Sequence, residues 1–205
     1  MNSTVTVDAV PDAFWARWVS NILSPPVIWG VLAFPLAARG DVLTAQHALW
    51  AAIYVVLACI VPSLYIVVMV LRGSITDIHM RVRTQRVRPF LVSLVCIALA
   101  WMILRTIDAE PLLQVFALIS LIEIAAMLAI TLFWQISIHM MSMCSAVIVM
   151  GTLFGLRAFF ISASLIVLVG AARYTLKRHT LAQLIAGGAL GGGLTLALIS
   201  LLIDV

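Results

Sequence analysis

The stretch GAARYTLKRHTLAQLIAGGALGGG, residues 170–193, decides how the chain is read. Arg173, Lys177, Arg178 and His179 fall within seven positions between two apolar runs. That is the pattern of a short polar turn between two membrane-spanning helices. Past the turn, Gly187, Gly188, Gly191, Gly192 and Gly193 give overlapping small-xxx-small spacings, and Gly151 and Gly155 repeat the pattern upstream. Such glycines let helix backbones approach closely in lipid, so they read as packing. No Gly-rich lysine loop of the phosphate-cradling type accompanies them.

Composition extends this reading to the whole chain. Of 205 residues, 64% are hydrophobic and 10% charged, with a mean hydropathy of +1.21. A soluble domain cannot cover its exterior with so few charges. The expected fold class is all-α: a polytopic transmembrane bundle of six to seven spans. A single domain over 21–205 would follow an N-terminal interfacial segment, 1–20, whose Trp15, Arg17 and Trp18 form a collar at the headgroups. The N-terminus lacks a basic n-region and a small-residue cleavage site, so no signal peptide is expected to be removed. Cys59, Cys96 and Cys144 lie in apolar runs and read as small buried side chains. The net charge of +4 belongs to residues bordering apolar spans, which points to lipid headgroups or anionic substrates and not to nucleic acid.

Apolar runs place spans near 21–38, 47–71, 91–107, 112–134, 139–156, 158–172 and 180–203, the fifth and sixth being short. Seven crossings put Arg17, Arg72, Arg81, Arg83, Arg86, Arg88, Arg173, Lys177 and Arg178 on one side of the membrane. Arg39, Arg105 and Arg157 fall on the other. The positive-inside rule calls the richer side cytoplasmic. His79, His139 and His179 join it, whereas His47 reads as a loop residue on the opposite side. Three polar islands far apart in sequence thus meet on one face.

The first island is RGSITDIHMRVRTQRVRPF, residues 72–90. If it is helical, Arg81 and Arg88 are about two turns apart and point the same way, a fork for phosphate oxygens. The alternative is a basic loop resting on headgroups. In the second island Ser137 and His139 put a hydroxyl beside an imidazole at the start of a span, a pattern that also fits a structural hydrogen bond. In the third, Gln183 follows His179 by four positions on one helix face and could orient its ring. An imidazole so oriented among arginines is a candidate nucleophile toward phosphorus. Asp77 and His79 are accessory candidates on the same face. Glu123 sits mid-span, where ionisable groups are costly; it reads first as a protonated or paired carboxyl inside the bundle.

These spacings resemble the phosphatidic acid phosphatase type 2 superfamily, whose signatures are K-x6-R-P, P-S-G-H and S-R-x5-H-x3-D. The chain offers R-x6-R-P (Arg81 to Pro89), I-S-I-H (Ile136 to His139) and A-R-x5-H-x3-Q (Ala172 to Gln183), in the same order. The resemblance implies a lipid phosphatase. Arg81, Arg88, Ser137 and Arg173 would hold the phosphate, His179 would form a phosphohistidine, and His139 would protonate the leaving alkoxide. It implies no metal and no cofactor. The departures are Arg81 for lysine, Ile136 and Ile138 for proline and glycine, Ala172 for serine, and Gln183 for the aspartate that would pair with the nucleophile.

Two other readings compete. A degenerate relative would bind lipid phosphate without hydrolysing it, and a metal-dependent prenyl-diphosphate enzyme would use Asp77, His79, His139 and His179 as ligands. The expected partners are the bilayer and a lipid phosphate or prenyl (di)phosphate. A homo-oligomer is left open, and the span pattern and small size suit a prokaryotic plasma membrane.

Overall fold

The computed structural model describes residues 13–202; expectations for residues 1–12, including signal-peptide processing and most of the interfacial segment, lie outside them. Among the described residues eight α-helices form: α1 (Phe14–Ile22), α2 (Pro25–Ala37), α3 (Ala45–Tyr54), α4 (Val61–Leu71), α5 (Val87–Thr106), α6 (Pro111–Thr131), α7 (Ile138–Thr175) and α8 (Leu181–Leu202). A π-helical turn, Val55–Ile60, joins α3 to α4, and a 3-10 turn, Arg83–Arg86, leads into α5. Five spans are long and apolar enough to cross a membrane, and the bent pair α1–α2, angled by 41°, makes a sixth. The protein is a multi-pass helical membrane protein.

The first span differs from its expected form. Pro25 and Pro26 end one helix and begin another, because proline lacks the N–H that a continuous helix would need there. The segment before them is therefore not a collar alone. It is helix α1, which exposes Phe14, Trp15 and Trp18 and buries Ala16 and Ser20 against the bundle. On the far side, His47 lies in α3 and not in a loop: its backbone N–H bonds the Thr44 hydroxyl at 3.2 Å while its ring accepts from the Thr44 N–H at 3.4 Å. This reciprocal pair caps the helix.

In the second span Pro62 leaves the carbonyl of Ala58 without its normal donor, and the helix widens to π geometry over Val55–Ile60. The Ser63 hydroxyl donates to the Cys59 carbonyl at 2.6 Å, which satisfies that hydroxyl inside the span.

The fifth and sixth spans, expected as separate short helices, form the single 38-residue α7. Straight, it would reach about 57 Å, nearly twice the hydrocarbon thickness of about 30 Å. It is not straight. Gly155 adopts φ 79°, ψ −177°, a conformation open essentially to glycine alone, and the helix turns back there. A Cβ on Gly151 would lie 3.2 Å from Phe159, and one on Gly170 would lie 3.5 Å from the Met140 sulfur. Both contacts require antiparallel arms, 138–154 and 156–175. Counted separately, the arms are two candidate passes within α7. Gly155, read as a packing glycine, is the hinge instead.

The glycines of α8 do pack as expected at two positions. A Cβ on Gly187 would collide with the Ser137 carbonyl, and one on Gly191 with the Met141 carbonyl and the Ser145 hydroxyl. The backbone of α8 therefore rides directly on the first arm of α7. Glu123, 1% exposed on α6, is fastened into the same layer. The Ser145 hydroxyl donates to its Oε1 at 2.5 Å and the Thr195 hydroxyl at 2.8 Å. This is the paired carboxyl expected from sequence.

Candidate functional site

The hairpin in α7 builds the site. His139 at the start of the first arm and Arg173 near the end of the second are 34 positions apart, yet both touch Ser20 of α1. His139 Nε2–H donates to the Ser20 carbonyl at 3.1 Å, and Arg173 Nη1–H donates to the Ser20 hydroxyl at 2.8 Å. Ser20 was missed in the sequence because nothing local separates it from other small residues near a span end.

The stretch 170–193 resolves into two backbone motifs. At the end of α7 the N–H of Arg178 bonds the Arg173 carbonyl (3.1 Å) and that of Lys177 bonds the Tyr174 carbonyl (2.9 Å). This is a Schellman turn, with Lys177 at φ 49° where glycine is usual. Three residues later α8 begins with a capping box. The Thr180 N–H donates to Gln183 Oε1 (3.0 Å), and the Gln183 N–H donates to the Thr180 hydroxyl (3.4 Å). Gln183 therefore caps its own helix and does not orient His179. The sequence signal was T-x-x-Q before an apolar run. His179, 6% exposed between the two motifs, makes no side-chain hydrogen bond among the described residues, and the Ile136 backbone is the polar group nearest in effect to its ring.

The first island is not helical where it needed to be. Arg81 lies in the loop before the 3-10 turn, exposed at the protein surface, so it and Arg88 share no helix face. Arg88 is exposed and heads the outward stripe of Leu91, Val95, Leu99 and Met102 on α5. The buried guanidinium is Arg86, 3% exposed, in register with Phe90 and Ile97 on the inward stripe. Its Nε–H donates to the Met80 carbonyl (2.9 Å) and its Nη1–H to that of Ile136 (3.3 Å). The helical period read back from Ile97 would have found it. Arg83 serves elsewhere, donating to the carbonyls of Thr131 and Leu132 and so capping the end of α6.

Ser137 is fully buried as the N-cap of α7, its hydroxyl accepting from the Met140 N–H at 3.4 Å and its own N–H bonding the Gln183 carbonyl at 3.1 Å. Asp77 organises the loop. It accepts from the His79 N–H (2.8 Å), the Arg81 N–H (3.5 Å) and Arg178 Nη1–H (3.3 Å), and it lies 3.9 Å from His79 Nδ1. The His79 ring stacks on that of His139 at 6.4 Å.

Two spaces meet at this end of the bundle. A cavity of about 410 Å³ runs into the apolar interior between α2, α4, α5 and α7, with His79, Arg86, His139 and Arg173 at its head and Glu123 deep inside. A polar vestibule lined by Arg17, Arg81, Lys177, Arg178 and Gln183 opens on the other side. His79 and Asn21 border both.

Charge at this end is unbalanced. Neither Arg86 nor Arg173 touches a carboxylate among the described residues, although both are nearly inaccessible to solvent. Burial and the Arg173 and Arg86 guanidiniums push the His179 imidazole down to about 3. Burial, then Arg173 and Arg178, push that of His79 to about 4 against the opposing pull of Asp77. Burial tends to raise the Asp77 carboxyl, but the His79 N–H and the Arg178 charge outweigh it and hold the group below its ordinary range. At neutral pH the site therefore presents two buried cations and neutral imidazoles at His79 and His179. An anion is the ligand that such an arrangement favours. No group of three or more His, Cys, Asp or Glu among the described residues is placed to hold a metal ion. No family model, no curated protein and no solved structure matches the chain.

Proposed function

We propose that the protein is a membrane phosphatase that cleaves a lipid phosphate or isoprenoid (di)phosphate through a phosphohistidine on His179, without a metal. The observation that carries this reading is the pair of buried guanidiniums, Arg86 and Arg173, without a carboxylate partner among the described residues, beside the neutral imidazole of His179. Guanidiniums hold phosphoryl oxygens by paired charge-assisted hydrogen bonds and stabilise the charge that gathers on them during transfer. A deprotonated imidazole has the lone pair that attack on phosphorus requires. The apolar cavity leading away from the site suits a lipid chain, and the polar vestibule suits water and released phosphate. In this reading Arg86 takes the place first given to Arg88, and the membrane is a prokaryotic plasma membrane.

Purified protein in detergent should release phosphate from at least one of phosphatidate, phosphatidylglycerophosphate or a polyprenyl diphosphate in the presence of EDTA. His179→Ala should abolish release together with an acid-labile, 32P-labelled protein intermediate. Release that survives His179→Ala refutes the mechanism. A second reading, binding without turnover, draws on Gln183, which caps α8 and leaves His179 without a carboxylate or amide to orient it. Tight lipid-phosphate binding with no labelled intermediate would establish that alternative.

A further inference from the structure

His139 is the imidazole expected to protonate the leaving group, but its surroundings suit another role. Its Nε2–H is committed to the Ser20 carbonyl at 3.1 Å. A ring that donates from Nε2 to a carbonyl carries its lone pair on Nδ1, and that atom is buried with no partner among the described residues. To act as an acid, His139 would have to abandon Ser20, which Arg173 also holds, or carry a second proton at 6% exposure beside a guanidinium. Its bond to Ser20 instead ties α1 to the first arm of α7, as that of Arg173 ties α1 to the second.

His79 has none of these commitments. Its side chain is 22% exposed, and among the described residues its ring nitrogens make no hydrogen bond, Nδ1 approaching Asp77 at 3.9 Å. Its backbone is fixed by the 2.8 Å bond to the same carboxylate, and its ring is stacked on His139. It borders both the cavity that would hold the lipid and the vestibule that admits water. It is the one histidine among the described residues that borders both.

We propose that His79, oriented by Asp77, is the general acid and base of the site, and that His139 is a positioning residue. The inference rests on the phosphatase reading above. In the first step a lone pair of His179 forms a bond to phosphorus and the P–O bond to the alkyl group breaks. The His79 imidazolium gives its proton to the departing alkoxide, which leaves as the alcohol. In the second step neutral His79 takes a proton from a vestibule water as its oxygen bonds to phosphorus. The P–N bond then breaks, freeing inorganic phosphate and His179, and His79 gives up its proton to solvent as phosphate departs. The charges facing His79 are Asp77 and Arg81 of its own loop, Arg173 of α7 and Arg178 of the following turn, with His139 against its ring. A bound phosphate dianion offsets the three arginines and favours the protonated ring, so His79 charges when substrate arrives.

Leaving-group dependence tests this assignment. An alkyl leaving group needs a proton, whereas 4-nitrophenolate leaves without one. His79→Gln should slow phosphate release from dioleoyl phosphatidate by roughly 10²-fold or more. With 4-nitrophenyl phosphate the same variant should still give a burst of about one equivalent of nitrophenolate, because only its second step lacks the base. That burst also reports an intact, folded site. His139→Gln should slow phosphorylation from both substrates alike. The assignment is overturned if His79→Gln slows phosphorylation from both substrates equally or from neither, or if His139→Gln alone discriminates between them. A wild-type protein phosphorylated by neither substrate overturns the phosphatase reading, and the acid role falls with it.

Discussion

Acidification should destabilise this protein well before Asp77 titrates. The folded chain holds His179 down to about 3 and His79 to about 4, whereas both titrate near 6.5 once unfolded. The folded values lie below the unfolded ones, so the contribution is whole above about pH 7 and drains away as pH falls toward about 4. Over that window the unfolded chain takes up protons that the folded chain refuses. Between about pH 7 and pH 5 each histidine costs roughly 2 kcal/mol by this linkage. His79 loses part of that to water, since its side chain is 22% exposed, which brings the pair to about 3 kcal/mol. Asp77 enters only further down, because its carboxyl is held below the ordinary range. For a chain of this length the loss corresponds to a fall of about 10 °C in melting temperature. Thermal unfolding in a neutral detergent, followed by tryptophan fluorescence at both pH values, measures it. The His79→Gln, His179→Gln double variant should show a shallower slope than the wild-type protein. A wild-type melting temperature that is flat over the window, or an equal slope in the double variant, refutes the buried-imidazole account.

Two further outcomes follow from packing and register. Arg86→Ala should weaken orthovanadate binding by about 10- to 100-fold, the loss of one buried charge-assisted interaction, while Arg88→Ala changes it by less than about threefold; calorimetric titration reads both, and equal losses would restore Arg88 to the site. Gly191→Val should lower stability by about 3 kcal/mol or prevent folding, because its Cβ would meet the Met141 carbonyl. Gly193→Ala, with open space around it, serves as the neutral comparison in the same melting assay.

Much of the fold was legible in the chain because lipid imposes one-dimensional rules. Apolar length placed the span 47–71 within two residues of its observed 45–71, and the last span equally closely. The convergence of three polar islands followed from counting passes, and Arg173, His139, His179 and His79 meet where that count put them. The errors have a common form. Arg88 and Gln183 were assigned from spacing alone, and spacing does not say which way a residue faces or what it already bonds. Arg88 belongs to the outward stripe of α5, and Gln183 is held by the Thr180 N–H.

The sequence by itself determined that this protein is helical, that it lives in a membrane and that it passes through more than once. Each of these depends on hydrophobicity and charge summed over a segment, quantities carried by the residues themselves. Only the tertiary structure decided that Gly155 is a hinge, that Arg86 and not Arg88 faces inward, and that Ser20 bridges His139 and Arg173. Each of these depends on one bond or one dihedral angle. The choice between neighbouring candidates is made by energies of about 1 to 3 kcal/mol that arise only when distant helices meet.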